Sequence, residues 1–490
     1  MKIGFDNDKY LKIQSEHIKE RISKFGDKLY LEFGGKLFDD LHASRVLPGF
    51  QPDSKLQMLM QLSDVAEIVM VISAVDIEKN KVRGDLGITY DMDVLRLRDE
   101  FQKRGLYVGS VCITHYNGQP AADIFRKKLK KMKIKSYVHY LIPGYPSNVN
   151  LICSDNGFGK NDYIETSRPL VVITAPGPGS GKMATCLSQL YQENKRGLKA
   201  GYAKFETFPI WNLALKHPVN MAYEAATADL ADLNMIDPFH LEAYGKTTVN
   251  YNRDIEIFPV LKAIFEGIFG ECPYKSPTDM GVNMAGLCIF DDDACCEASK
   301  QEIIRRYYNT LNRFAENDCD EKEVFTIEML MKQAGITTDD RKVTIACKER
   351  AEKTKVPCAA IELDDGTILT AGTSDLFGAC AALILKALKY LAGIDTKIHI
   401  IPTSAVEPIQ DMKVHGLKGN NPRLHSDELL VALAIISRDS NECRRAVEQL
   451  PLLKGAQVHT SVMLSEVDRK ILKKLGIDFT SEPIAKKSTI

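Results

Sequence analysis

The chain has 490 residues, of which 44% are hydrophobic and 26% charged, the balance of a soluble globular protein and not of a disordered, collagen-like or coiled-coil chain. At roughly 150 residues per domain, that length asks for two or three domains and excludes a single core. Lys plus Arg number 64 against 65 Asp plus Glu, a formal charge of -1, so no overall field draws the chain toward nucleic acid or an anionic membrane.

The opening segment from Met1 to Lys12 lacks the apolar core of a secretory leader. The longest apolar stretch, Ala379 to Ala392, is interrupted by Lys386 and Lys389, so a cytoplasmic location is expected. The twelve cysteines include no Cys-x-x-Cys pair, and most sit inside apolar patterns, which reads as buried thiols in preference to zinc sites or disulfides. Cys295 and Cys296 are adjacent at an expected helix start and read as a reduced pair.

Along the first third, strands alternate with helices. Leu29 to Phe33 is an apolar run ending in Gly34-Gly35-Lys36; Val65 to Val75 ends at Asp76, and Leu106 to Thr114 ends at His115. Phe125, Leu129 and Met132 recur at helical spacing over Ala121 to Met132, and Tyr137 to Ile142 is the next strand, completing a βαβ unit. Arg126 to Lys135 carries seven basic residues in ten, but the apolar spacing explains them as one solvated helix face, and no interleaved aromatics support RNA binding.

The middle third holds the sharpest motif. Leu170 to Ala175 is an apolar strand, Pro176 to Lys182 (PGPGSGK) a glycine-rich turn, and Met183 to Asn194 a helix. Phosphate chemistry uses this order because glycines let backbone amides converge, the helix N-terminus adds partial positive charge, and lysine supplies a cation. Gly177, Gly179, Ser180, Gly181 and Lys182 are therefore the candidate phosphate-binding residues. The loop departs from the common G-x-x-x-x-G-K-[ST] pattern: Pro176 stands at the first glycine, and Met183 at the hydroxyl that would hold magnesium.

A parallel strand over Gly201 to Phe205 would deliver Lys204 and Glu206 to the same sheet edge. A strand over Leu287 to Phe290 ending in Asp291 would resemble a Walker B element holding magnesium, although acidic residues also start helices. Glu206 and Asp291 are the candidate catalytic residues, with Asp291 the candidate magnesium ligand. Lys36, Lys204, Asn250, Asn252 and Arg253 are candidate lining of a substrate cleft, the last three from a polar and aromatic stretch, His217 to Asp254. Asp237, His240 and Glu242 in that stretch have no recognised metal spacing.

Taken together, LYLEFGGKLFDDLHASRVLPGF from Leu29, RPLVVITAPGPGSGKMATCLSQLY from Arg168, NYNRDIEIFPVL from Asn250 and SPTDMGVNMAG from Ser276 resemble a bacterial family known as domain of unknown function 1846. The resemblance runs over nearly the whole chain. It implies one full-length architecture in which Pro176 and Met183 belong to the usual loop, and it brings no reaction or catalytic residue with it.

In the last third, Asp318 to Glu323 reads as a linker. Pro357 to Ala371 reads as a hairpin turning at Asp365-Gly366, followed by a helix capped by Thr373 or Ser374 and stopped at Gly393. Lys397 to Ile401 and Gln457 to Leu464 are further expected strands. Small residues from Gly378 to Ala382 favour tight packing within the chain over an oligomer contact.

The expected fold is α/β: two Rossmann-like or P-loop-like parallel-sheet units over residues 1–165 and 166–325, followed by an α+β domain over 326–490. The expected function is binding of a nucleotide or phosphorylated metabolite, with magnesium as the companion ion of a nucleotide, by a phosphoryl-transfer enzyme. The competing expectation is a noncatalytic anion sensor or assembly protein, with a homo-oligomer as its partner state.

Overall fold

The computed structural model describes residues 2–26, 28–35, 37–38, 40–83 and 86–484. Its chain forms two compact units, divided between Ser299 and Lys300. That division falls inside one long helix, Asp292–Ala315. The segment expected to be a linker is structured instead: the Asp320 carboxylate caps the helix Glu321–Ala334.

The amino-terminal unit is built on strands β1 (Leu29–Phe33), β2 (Ala66–Ser73), β5 (Tyr107–Tyr116), β6 (Lys135–Tyr140), β7 (Leu170–Thr174), β8 (Gly201–Phe205) and β11 (Gly281–Val282). They form one sheet in the order β11-β8-β1-β7-β2-β5-β6, parallel at every pairing. Two antiparallel ribbons, β3 (Val82–Arg83) with β4 (Ile88–Thr89) and β9 (Asn234–Ile236) with β10 (Val249–Tyr251), lie outside it. The stretches expected to make two units share this single sheet, because β7 of the second stretch inserts between β1 and β2 of the first.

β1, β2 and β7 are buried at every position, the outcome expected of continuous apolar runs covered on both faces. On one face Tyr30, Val171, Ile173 and Tyr202 pack with Leu187 and Leu190 of the helix Lys182–Lys195 and with Phe258 and Leu261 of the helix Asn252–Phe269. The helix Pro120–Lys131 buries Ala122, Phe125 and Leu129, while Lys127, Lys130 and Lys131 are exposed, as the solvated-face reading requires.

The carboxy-terminal unit carries a separate four-stranded mixed sheet of β12 (Cys358–Glu362), β13 (Ile368–Gly372), β14 (Gln457–Thr460) and β15 (Asp478–Ser481). Its order is β13-β12-β14-β15, with only the β14–β15 pair parallel. The hairpin turns at Gly366, whose φ of 81° suits glycine. The following helix, Ala379–Leu391, starts later than expected, at Gly378. Ser374 is used in a turn of its own, its hydroxyl accepting the Phe377 amide at 3.1 Å. Buried Cys380, Ala381 and Leu383 join the core of this unit, so the small residues do serve packing within the chain. No strand forms over Lys397 to Ile401, where the Lys389 ammonium binds the Thr396 and Ile398 carbonyls of a turn.

Among the described residues, all twelve cysteines are free and eight are buried, in keeping with structural thiols. No described helix is long and apolar enough to cross a membrane.

Candidate functional site

A parallel sheet binds ligands beyond the carboxyl ends of its strands, where the chain leaves neighbouring strands in opposite directions. Here that point is the β1–β7 pair: the chain passes from β1 toward β2 on one side, and from β7 to β8 on the other. A glycine-rich turn leaves each strand, Gly34-Gly35 after β1 and Pro176 to Lys182 after β7.

The β7 turn is held from several sides. Gly179 and Gly181 adopt φ of 71° and 84°, left-handed values that other residues resist. A Cβ at Gly177 would fall 2.3 Å from the Tyr90 hydroxyl oxygen, so only glycine fits there. The buried Ser180 hydroxyl donates to the Gly177 carbonyl at 2.8 Å, and the Thr114 hydroxyl at the end of β5 donates to the Ser180 carbonyl at 2.6 Å. Lys182 is half-buried and opens a helix of 14 residues whose first amides precede the Thr185 to Gly181 bond. The Thr185 hydroxyl is committed to the Gly181 carbonyl at 3.0 Å and cannot replace the one missing at Met183.

Beside the β1 turn, the cation that is described is Lys55, since Lys36 lies outside the described residues. The buried Lys55 ammonium sits 3.1 Å from where a Gly35 Cβ would be, and pairs with the half-buried Asp40 at 2.7 Å. Burial raises the Asp40 pKa, but the Lys55 charge and hydrogen bond, together with the Ala43 amide, outweigh it and hold the carboxyl below its ordinary range. At the ends of β2 and β5, the Ser73 hydroxyl and His115 Nδ1 lie 3.1 Å apart, and burial lowers the His115 pKa.

On the other side of β1, β8 delivers Lys204 and Glu206 to the edge that carries Lys182, two strands or about 10 Å away. Lys204 bonds Glu206 at 2.9 Å and also Asp254 in the first turn of the helix Asn252–Phe269. Glu32, its partner across the ladder, adds a third carboxylate and accepts the Tyr202 hydroxyl at 2.7 Å. Burial works against the Lys204 charge, but Asp254, Glu206 and Glu32 outweigh it and hold its pKa above the lysine value. Burial, with help from the Asp254 charge, pushes the Glu206 carboxyl up, and its Oε2 is buried without a hydrogen-bond partner.

A carboxyl raised on folding makes the folded state prefer a proton, so its contribution is full below the ordinary glutamate range and is lost as pH rises through the folded pKa. The Glu206 contribution to melting temperature should therefore shrink as pH climbs from about 5 to 8, so the slope of melting temperature against pH should be less negative in Glu206→Gln than in the parent. Parallel slopes for the two proteins would show that Glu206 does not titrate on folding.

Asp291 is elsewhere. Leu287 to Phe290 forms no strand beyond an isolated bridge between Ile289 and Phe5, and the edge strand of the sheet is β11. Asp291 caps the helix that starts at Asp292, accepting the Ala294 amide at 3.0 Å, and pairs with Lys2. This is the helix-start alternative, and it removes Asp291 from magnesium binding beside Lys182. Asn250, Asn252 and Arg253 are also spoken for: Asn250 contacts Thr278, Asn252 binds the Leu233 amide, and Arg253 pairs with Asp232. These bonds tie them to the β9–β10 region. Asp237 accepts the Thr278 hydroxyl and His240 contacts Ser276, so neither joins a metal cluster.

A profile described as the domain of unknown function DUF1846, N-terminal, matches residues 3–335, and one for the C-terminal domain of that name matches residues 339–490. The chain belongs to the DUF1846 family. A UPF0371 protein of Streptococcus pyogenes serotype M5 is 57% identical over 482 residues, 98% of each chain. A UPF0371 protein of Streptococcus sanguinis is 57% identical over 483 residues, 99% of this chain and 98% of its own. The DUF1846 match spans both units and bears out the full-length resemblance read from the motifs.

Lys55, Tyr90 and Thr114 were not legible as site residues. Each reaches a glycine turn from a distant element, and only the special backbone of those turns pointed to the place.

Proposed function

We propose that this DUF1846 protein binds a phosphorylated small molecule, a nucleotide or a phosphorylated metabolite, in the crevice between the glycine turns after β1 and β7. The observation that carries this reading is the Pro176 to Lys182 turn, set between a central strand and a 14-residue helix at the switch point of the sheet. Its glycines leave room for a phosphate against backbone amides, and Lys182 brings the charge that a phosphate requires.

A thermal-shift series with inorganic phosphate, nucleoside phosphates and sugar phosphates tests it. A ligand at 100 times its Kd adds roughly 2.7 kcal/mol to stability. Lys182→Ala should weaken the responding ligand about tenfold to a hundredfold, since a charge-assisted hydrogen bond contributes about 1.5–3 kcal/mol. Its unliganded melting temperature should hardly change. Equal affinity in the variant and the parent for every phosphorylated ligand would dismiss the phosphate reading.

A binding role without turnover is the second reading. Two observations favour it: Met183 supplies no hydroxyl for magnesium, and Asp291 is committed to a helix cap and Lys2. Product formed from the responding ligand, with or without magnesium, would decide for the phosphoryl-transfer enzyme.

A further inference from the structure

The connection leaving β8 starts at Glu206 and ends at His217, the residue that caps the helix Pro218–Ala226. His217 Nδ1 accepts the Val219 amide at 3.3 Å. Its other nitrogen, Nε2, lies 3.1 and 3.2 Å from the two Asp292 carboxylate oxygens and 3.5 Å from Cys296 Sγ. Asp292 and Cys296 are one turn apart on the same helix and share a face, with Sγ 3.8 Å from Asp292 Oδ2. One donor atom from each of the three side chains falls within 4.8 Å of the others. The His217 side chain is 12% exposed and Asp292 57%, so the group has a protein side and a solvent side.

We propose that His217, Asp292 and Cys296 form a zinc-binding site with a fourth position open to solvent. Tetrahedral zinc, at about 2.3 Å from sulfur and about 2.0–2.2 Å from nitrogen or oxygen, sets its donors roughly 3.3–3.6 Å apart. With Oδ2 as the Asp292 donor, the three separations here, 3.2, 3.5 and 3.8 Å, bracket those edges. The chemistry of the donors selects the ion: a thiolate and an imidazole suit zinc, whereas magnesium and calcium require oxygen ligands. Three protein donors with one open position is the arrangement of zinc sites that hold water or a substrate, unlike closed structural sites.

Binding rearranges two protons. The Cys296 thiol releases one to solvent and ligates as the thiolate. In the metal-free protein, Nδ1 accepts from Val219, so the neutral ring carries its proton on Nε2 and donates to Asp292. Zinc takes the Nε2 lone pair, the ring proton moves to Nδ1, and the long Val219 contact opens.

The test uses the full chain, stripped with a chelator and titrated with cobalt(II) as a spectroscopic substitute and with zinc(II) as competitor. One equivalent of cobalt should give a thiolate-to-metal charge-transfer band in the near ultraviolet, with the intense visible bands of tetrahedral coordination, and zinc should abolish both. Cys296→Ser should remove the charge-transfer band. Asp292→Ala, at an exposed side chain that folding tolerates, should weaken binding at least tenfold. His217→Asn keeps a helix cap, since asparagine is a good N-cap residue, and should also weaken binding at least tenfold. The absence of a band in the parent overturns the site. So does a band that persists in Cys296→Ser, which would place the metal on another cysteine, or an unchanged affinity in Asp292→Ala and His217→Asn.

Discussion

Lys204→Met should destabilise the amino-terminal unit by about 3–5 kcal/mol, the usual penalty for leaving a buried charge without its partner. Lys204 is the counter-ion to Glu206, Asp254 and Glu32, and Glu206 already carries one buried oxygen with no hydrogen-bond partner. Taking the ammonium away removes the cation that bonds Glu206 and Asp254 and faces Glu32 across the ladder. Calorimetry should show a fall in melting temperature of about 5–8 °C for a unit of this size. The triple variant Lys204→Met, Glu206→Gln, Asp254→Asn should recover most of that loss, because it removes the charges together with their desolvation penalty. A single variant as stable as the parent would mean that the carboxyls are neutral already.

Gly177→Val should abolish ligand binding at the β7 turn while Lys182 is intact. A Cβ at position 177 meets the Tyr90 hydroxyl oxygen at 2.3 Å and its ring carbon at 2.7 Å, and Tyr90 is buried under a Lys81 cation 5.0 Å from its ring centre. The turn must therefore shift, which costs about 1–3 kcal/mol and misplaces the amides by more than a hydrogen bond tolerates. The affinity of any phosphorylated ligand should fall at least a hundredfold. Gly177→Ala combined with Tyr90→Ala should restore part of it, since the obstacle is the ring. Undiminished binding by Gly177→Val would separate the ligand from this turn.

Much of the parallel sheet could be read from the chain because its strands are buried on both faces, which leaves continuous apolar runs such as Leu170 to Thr174. The helix after it and the Asp365-Gly366 hairpin were legible for the same kind of reason: each has a local backbone requirement written in its residue types. Leu287 to Phe290 has the composition of a strand without the burial, as Leu287 is 55% and Phe290 65% exposed. Composition carries no information on which side chains find cover. Nor does it carry strand order, so nothing local reveals that β7 enters between β1 and β2.

The site divides in the same way. Gly177 to Lys182 and Glu206 were legible because each follows an apolar strand directly. Lys55, which pairs with Asp40 beside the other turn, and His217, which meets Asp292 and Cys296 from 75 and 79 residues away, are products of tertiary folding. Asp291 misled because the start of a helix and the end of a strand both attract aspartate.

The strand order also has a consequence for synthesis. β1 is the third strand of seven and is buried throughout, yet both its neighbours, β7 and β8, emerge more than 130 residues after it. β2, β5 and β6 can pair among themselves as they leave the ribosome, but Leu29 to Phe33 must wait with both edges open until Leu170 to Thr174 arrives. For that interval the nascent chain carries an apolar segment with two unsatisfied rows of backbone donors and acceptors, the state most prone to pairing with other chains. Chaperone dependence and aggregation of truncated chains should therefore be greatest for those that end between β6 and β7, and should fall once residue 174 has been added.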